Sequence, residues 1–454
     1  MILALCLQVV AIAHATVIDP GPGSVTANQT VIIRDHRIAQ VGDAARVAIP
    51  SNARVIDATG QYLIPGLWDM HVHSVFGDWF PGGRDVILPL YIANGVTGVR
   101  DMGGELNVLQ GWRDSISAGT LVGPRMIISG PMLDGYLADG KSMRFPSSIP
   151  VTTPDDAVRA VRRLASQHAD FIKVQSEVPH DAYVAAAAEA HRLGLPIVGH
   201  VPWRVRLDET ITAGQASIEH LMGLFEACGA HEDQFVAGKG TMQLLLDTDT
   251  ARCDAVIQRV AQAHIAQCPT LYWQKGETLL DLIDQEHQPL ARYVPMSWRT
   301  GAWKQFSDAI MGDIRKDPLE RRQEYWRRQL VMTGALYHAG VLLLAGTDAA
   351  PGVFVVPGFS LHQELAEFVE AGLTPLDALR TATSNAAQFL KLNDIGRISS
   401  GARADLVLLS ANPLDDIHNT TTILTVVANG RVFDHTGLSD LLSGVERAAR
   451  TSTK

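Results

Sequence analysis

The chain has 454 residues, 46% of them hydrophobic and 19% charged, and a net charge of -10. This balance describes a soluble globular protein with a large core, and the length suits a large barrel with a smaller appended domain. An acidic chain without a dominant basic cluster excludes nucleic acid as an expected partner.

The first fifteen residues, MILALCLQVVAIAHA, are apolar and end in an A-x-A-like AHA, but they lack the basic start of a secretory signal. They are too short for a membrane helix. The preferred reading is that VVAIAHATVID already holds the first strand, with the remnant of a leader ahead of it as the alternative. No later segment reads as membrane-spanning. The compartment stays open: the cytoplasm is favoured, and export follows if the apolar start is a leader remnant. Cys6, Cys228, Cys253 and Cys268 are widely spaced and form no C-x-x-C. They are expected to be free thiols used in packing.

Residues 8–64 carry short β-branched runs between turn residues: ATVIDPGPG, QTVIIRDHRIAQVG and ARVIDATGQYLIPG. They predict a small antiparallel β unit. RADLVLLSANP and LTVVANGRVFDHTG echo it near the C-terminus. The expectation is a β-sandwich built from both chain ends, 1–64 and 396–454. It flanks a central domain over 65–395.

In that centre, apolar runs alternate with helix-period stretches. The strand candidates in order are GLWDMHVH, VTGVRDM, RMIISGPML, FIKVQ, PIVGHV, SIEHL, QCPTLYW and LLLAGTDA. PDDAVRAVRRLASQHA and DAYVAAAAEAHRLG are two of the helices between them. Eight strands alternating with helices predict an α/β fold of the (β/α)8 TIM-barrel type. The long stretch from Gln274 to Gly340, with Trp298, Trp303 and Trp326, reads as helical and as a cover over the barrel mouth.

The chemistry gathers at the strand ends. His71 and His73 stand two apart on one strand, so both side chains leave the same face. Two neutral imidazoles aimed at one point suit a metal ion. The fourth strand ends near Lys173, the fifth in His200, the sixth in His220 and the eighth near Asp348. Catalytic groups of such barrels come from the C-terminal ends of several strands. Each residue alone has an ordinary alternative: a hydrogen-bonded structural histidine, a helix-capping Asp348, or a Lys173 paired with Glu177. Lys173 is the least ordinary, because burial in an apolar strand favours the neutral amine. A neutral amine reacts with carbon dioxide to give a carbamate, whose two oxygens can bridge two cations.

IPGLWDMHVH, GVTGVRDMG, ADFIKV, GHV, IEHL, AGTDA, SLHQELAEFVEAGLTPLDALRTATSNAA and GRISSGARADLVLL together resemble the amidohydrolase superfamily. The likeness lies with its imidazolonepropionase-like and prolidase-like branch. It runs almost end to end. It implies that His71, His73 and Asp348 bind one metal and that His200 and His220 bind a second. It implies two divalent ions, expected to be zinc, bridged by a carboxylated Lys173. It further implies a hydroxide between the metals as nucleophile, with Asp348 taking its proton. Imidazolonepropionase resembles a single-metal enzyme without the bridging lysine, so Lys173 points to the two-metal amide-hydrolysing relatives. One departure stands out: dipeptidase-like relatives often carry H-x-H-G after the fifth strand, where this chain has GHVPWRV.

The expected activity is hydrolysis of an amide-type C–N bond in a small molecule: a dipeptide, an N-acyl amino acid or a cyclic amide. An ester, lactone or phosphotriester hydrolase using the same two-metal site is the alternative. A barrel that only binds is a further one, disfavoured because the six ligands are all present. Tyr136, Arg144 and Tyr272, on the loops expected to set specificity, are the candidate substrate contacts. Oligomeric state is not legible, and a homo-oligomer is one of the open cases.

Overall fold

The apolar run near the start is a strand, Val9–Asp19, buried at nearly every residue except His14 and Thr16. The computed structural model describes residues 9–137, 139–141, 143–284, 287–349 and 355–451. Val9–Asp19 pairs antiparallel with Ser24–Arg34, which pairs in turn with Arg37–Asp43. The other two strands of this region depart from the antiparallel expectation. Arg54–Asp57 and Tyr62–Pro65 both run parallel to Val9–Asp19. The chain between Asp43 and Arg54 returns to the starting end of Val9–Asp19, and Tyr62–Pro65 continues along it in the same direction, so both pairings are parallel.

Tyr62–Pro65 then pairs antiparallel with Leu406–Leu409, followed by Ile423–Ala428 and Arg431–Phe433. Both chain ends therefore share one eight-stranded sheet. Val10, Ile12, Val31, Ile33, Leu406 and Leu408 fill its core. The last helix, His435–Thr451, leaves this sheet and packs on the helix Gly83–Ala93 of the central part.

The centre is an α/β assembly of parallel strands. Leu67–Val72, Val96–Asp101 and Arg125–Ile128 form one parallel sheet. A six-stranded sheet contains Met132–Asp134, Ile172–Val174, Ile197–Gly199, Ser217–Glu219 and Ala266–Cys268 in parallel order. Two expected strands are divided. RMIISGPML breaks at Gly130, whose φ is 72°, so its halves lie in different sheets. QCPTLYW stops after Cys268 because Thr270 adopts φ 50° and opens the helix Leu271–Leu279. The eighth candidate, LLLAGTDA, is held only by bridges and single hydrogen bonds. Leu343 bridges Gln267 on one side and Ala349 bridges Val72 on the other. Met70 N–H donates to the Ala345 carbonyl at 2.8 Å, and Asp348 N–H to the His71 carbonyl at 2.8 Å.

The helices follow their sequence signals. Pro154–Ser166 begins with a capping box in which Thr153 and Asp156 satisfy each other's backbone N–H groups. His180–Arg192 lays Ala182, Ala186, Ala187 and Ala190 against the core. The stretch after Tyr272 is helical, chiefly Ala302–Ile314 and Leu319–His338. Trp298, Trp303 and Trp326 are buried there, and Trp298 Nε1–H donates to the Pro81 carbonyl at 3.1 Å.

The expectation of free thiols is corrected at one pair. Cys228 and Cys253 form a disulfide, with Cα atoms 4.5 Å apart. It joins the short helix Leu224–Cys228 to Thr250–Gln262. Their separation of 25 residues matches no motif, and only the packing of those two helices brings them together. Cys268 is free and buried, and Cys6 lies outside the described residues.

Candidate metal centre

His71 and His73 leave the end of Leu67–Val72 on one side, as residues two apart on a strand must. Their ring centroids stand 5.5 Å apart. His220 lies 4.7 Å from His71 and 5.0 Å from His200, again between ring centroids. Close backbone contacts make this convergence possible. A Cβ on Gly346 would come within 2.7 Å of His71 Cβ and 2.5 Å of Cys268 Sγ. A Cβ on Gly199, whose φ is 128°, would come within 2.2 Å of the Val174 carbonyl. Glycine at both positions lets the strands approach.

Each imidazole is fixed through Nδ1. His71 Nδ1 meets Glu219 Oε2 at 2.8 Å, and His73 Nδ1–H donates to the Gly103 carbonyl at 3.1 Å. His200 Nδ1 shares a hydrogen bond with Ser176 Oγ at 2.7 Å. His220 Nδ1–H donates to Thr270 Oγ1 at 2.6 Å, because that hydroxyl spends its own hydrogen on the Pro269 carbonyl. The Nε2 atoms are thereby aimed inward. Outer hydrogen bonds of this kind fix ring orientation and tautomer in metal-ligating histidines.

His71 Nε2 and His73 Nε2 lie 3.3 and 3.2 Å from Asp348 Oδ1. Among the described residues His71 Nε2, Asp348 Oδ1 and Lys173 Nζ are buried with no hydrogen-bond partner. Bonds of about 2.0–2.2 Å to one tetrahedral ion put neighbouring ligand atoms about 3.3–3.6 Å apart, so His71, His73 and Asp348 have the spacing of a ligand set. A second group of possible ligands, His71 with Glu219 and Cys268, fits less well. Glu219 already accepts from Arg100 Nη2 at 3.0 Å and from Ser217 Oγ at 2.5 Å. Burial pushes the Cys268 thiol well above its usual range, which keeps it protonated.

The electrostatics agree with neutral imidazoles around an anionic carboxylate. Burial holds His71 and His200 well below the usual histidine range, and lowers His220 to about 4. Burial acts against the Asp348 charge, but the charge that His71, His73 and His220 carry when protonated in acid, with a hydrogen bond from His73, outweighs it and holds the carboxyl well below its ordinary value. Burial lowers Lys173 to about 8, so a neutral amine is accessible near neutral pH. Asp348 at φ 58°, His220 at 62° and Thr270 at 50° are non-glycine residues in the left-handed region. Such conformations cost free energy and cluster at functional sites.

Two supporting groups lie outside the ligand set expected from the sequence. Arg100 is fully buried and binds the Met70 carbonyl at 2.5 Å, Ser217 Oγ at 3.0 Å and Glu219. Asp69 accepts from Thr347 Oγ1 at 2.6 Å, from Thr347 N–H and from His71 N–H. It ties the strand carrying His71 to the segment carrying Asp348. Arg100 sits inside GVTGVRDMG and Glu219 inside SIEHL, where a charge in an apolar strand was the available clue.

The histidines and Asp348 open onto a cavity of about 1280 Å³. Phe76, Phe145, Trp273 and Phe306 give it an aromatic wall, and Phe145 stacks on Phe306 at 6.1 Å. Phe306 and Tyr325 come from the helical stretch after Tyr272, which forms a side of the cavity while its three tryptophans pack in the core. Of the candidate substrate contacts, Arg144 lines the cavity and pairs with Glu177 at 3.4 Å. Tyr136 is an exposed residue outside its lining. Tyr272 is also outside it, and its backbone N–H donates to Glu364 at 2.8 Å.

The family model described as the amidohydrolase family matches residues 62–433. Ochratoxinase from Aspergillus niger is 24% identical over 492 aligned residues, covering 94% of this chain and 88% of its own. Imidazolonepropionase from Streptomyces griseus subsp. griseus is 25% identical over 420 residues, covering 88% and 91%. The solved structure of bottromycin amidohydrolase superposes with a TM-score of 0.71 at 25% identity, covering 97% of this chain and 90% of that one.

Proposed function

The chain belongs to the amidohydrolase family and is a hydrolase acting on carbon–nitrogen bonds, and from that premise we propose a two-metal cleavage of an amide-type bond in a small molecule. The observation that carries this reading is the set of orphaned buried atoms, His71 Nε2, Asp348 Oδ1 and Lys173 Nζ. Buried polar atoms nearly always find partners. Three without any, two of them 3.3 Å apart, mark a place completed by something other than protein.

In this reading His71, His73 and Asp348 would hold one divalent ion and His200 and His220 a second, with Lys173, once carboxylated, as a further ligand. An imidazole and carboxylate donor set suits zinc. When bound, such ions supply Lewis acidity and lower the pKa of water to about 7. The scaffold is read as a closed barrel with 342–349 as its eighth strand.

The chain's own residues then have defined tasks. Asp348 accepts the proton of the attacking water at its carboxylate and returns it to the leaving nitrogen. Glu219 and Arg100 fix His71, and Thr270 fixes His220. The cavity walls exclude bulk water and orient the acyl and amine halves. Lys173, lowered by burial, is available as the free amine that carbon dioxide requires.

The test is elemental analysis of the purified protein combined with matched amide and ester substrates. About two equivalents of divalent metal are expected, with amide turnover lost on chelation and restored on re-addition. Active protein with only trace metal, or turnover of esters but of no amide, overturns the reading.

A further inference from the structure

The helix Leu271–Leu279 begins without the cap that its sequence offers. Thr270 stands at the N-cap, where a threonine hydroxyl ordinarily accepts from the second or third free N–H of the helix. Here it makes no such bond. Its hydroxyl donates to the Pro269 carbonyl at 2.7 Å, and the oxygen accepts His220 Nδ1–H at 2.6 Å. The backbone is bent to suit: Thr270 is a β-branched residue at φ 50°, a conformation such residues rarely adopt.

The task left by the hydroxyl is taken up from another helix. Glu364, in Phe359–Glu370, sends one oxygen to each of the first two N–H groups. Leu271 N–H donates to Oε1 at 3.0 Å and Tyr272 N–H to Oε2 at 2.8 Å. The Glu364 side chain is fully buried, and a helix N-terminus favours a negative group at that place. The same two helices meet again where Lys275 Nζ lies 2.7 Å from Glu367 Oε1. Their docking therefore has a tie that Glu364 does not supply.

Taking a carboxylate out of water is unfavourable, and a helix start alone does not require it, since a threonine hydroxyl stands beside the same N–H groups. What Glu364 adds is the release of that hydroxyl. We propose that Glu364 is a positioning residue for His220. By capping Leu271 and Tyr272 it holds Thr270 in its left-handed conformation. The hydroxyl oxygen then stays on His220 Nδ1, and the unprotonated Nε2 faces the metal centre. Without Glu364, Thr270 turns its hydroxyl back to the helix, and the imidazole loses the bond that fixes its tautomer. The inference rests on the two-metal reading for what His220 holds, whereas the orientation of the ring needs no ion.

The experiment follows the ring N–H of His220 by NMR on metal-free protein with nitrogen-labelled histidines, assigned from its absence in His220→Asn. Zinc affinity is measured beside it by competition with a chelator. The parent should show a proton on Nδ1 in slow exchange with water, and about two equivalents of zinc. Glu364→Gln sets an amide N–H against one of the two backbone donors. It should lose the protected proton and weaken one zinc by about 10-fold, leaving the other unchanged. Thr270→Val should do the same. The double variant should be no worse than Thr270→Val, because both changes act on one bond. Glu367→Gln, which breaks the other tie between the helices, should lower the melting temperature and leave the His220 proton in place. Glu364→Asp, with its charge on a shorter arm, replaces Glu364→Gln if that variant does not fold, and should speed exchange of the same proton. A His220 proton as protected as the parent's in the folded Glu364 variant, zinc losses that add in the double variant, or loss of the proton in Glu367→Gln overturns the proposal. If the parent binds a single zinc while the proton depends on Glu364, the positioning stands and the two-metal reading fails.

Discussion

Asp348 shows how much one residue carries at this site. Its carboxylate faces two imidazoles, sits in a left-handed backbone conformation and is assigned both a metal and a proton. Asparagine keeps the shape and one oxygen but cannot take the proton. Asp348→Asn should retain fold and most metal, yet lose kcat by roughly 10³-fold, within the range of general acid–base groups. Steady-state kinetics on protein of verified metal content checks this, and a loss of only a few-fold rules out the shuttle. Glu219 acts through the Nδ1 of His71. Glu219→Gln should weaken metal affinity by about 10- to 100-fold, measured by competition with a chelator. Asp69 gives a pH signature. Burial raises it to about 7, so between about pH 4 and 7 the folded chain holds a proton that the unfolded chain has released. Stability of metal-free protein should fall as pH rises through that window, and Asp69→Asn should flatten the slope of the urea midpoint against pH. The inward residues were legible because each ends a short apolar run. Glu219, Thr270, Ser176 and Asp69 were not, because their partners lie on neighbouring strands that the sequence does not put side by side.

At the scale of elements, the disulfide between Leu224–Cys228 and Thr250–Gln262 closes a loop that lines the cavity with residues 235–238, 240–243 and 245. A closed loop of about 25 residues is worth roughly 3 kcal/mol in the chain-entropy account. Cys253→Ser should lower the melting temperature and raise KM more than it lowers kcat, since the loop touches the cavity wall and none of the imidazoles. Calorimetry with kinetics on the same sample decides it, and an unchanged KM would detach the loop from substrate binding. Thiol titration of the unfolded parent should find fewer free thiols than cysteines. Helices with a strong apolar period, such as Pro154–Ser166, could be placed from sequence alone. The strand breaks at Gly130 and Thr270 could not, because a positive φ ended an otherwise unbroken apolar run.

At the scale of the molecule, the shared sheet joins the two ends of the chain across the central part. Leu406 pairs with Pro65 and Leu409 with Tyr62. Ending the chain at residue 395 would remove that neighbour and leave Tyr62–Pro65 as a bare edge, which invites pairing with other chains. Such a truncation should aggregate on size-exclusion chromatography, and a monodisperse, metal-binding product would show that the centre folds without the sheet. That the two ends belong together could be read from their echoing β-rich runs, but the single sheet and its parallel pairings depended on crossovers that composition does not encode.

That register also imposes an order in time. Tyr62–Pro65 leaves the ribosome hundreds of residues before Leu406–Leu409 is made. At roughly 5–20 residues per second the wait lasts tens of seconds, long compared with the folding of a hairpin. Throughout it the nascent chain carries an unpaired edge that its own sequence cannot yet cover. The yield of active protein is thus tied to the rate of translation and to whatever shields that edge, and slowing elongation downstream of Pro65 should cost soluble enzyme even when every codon still specifies the same residue.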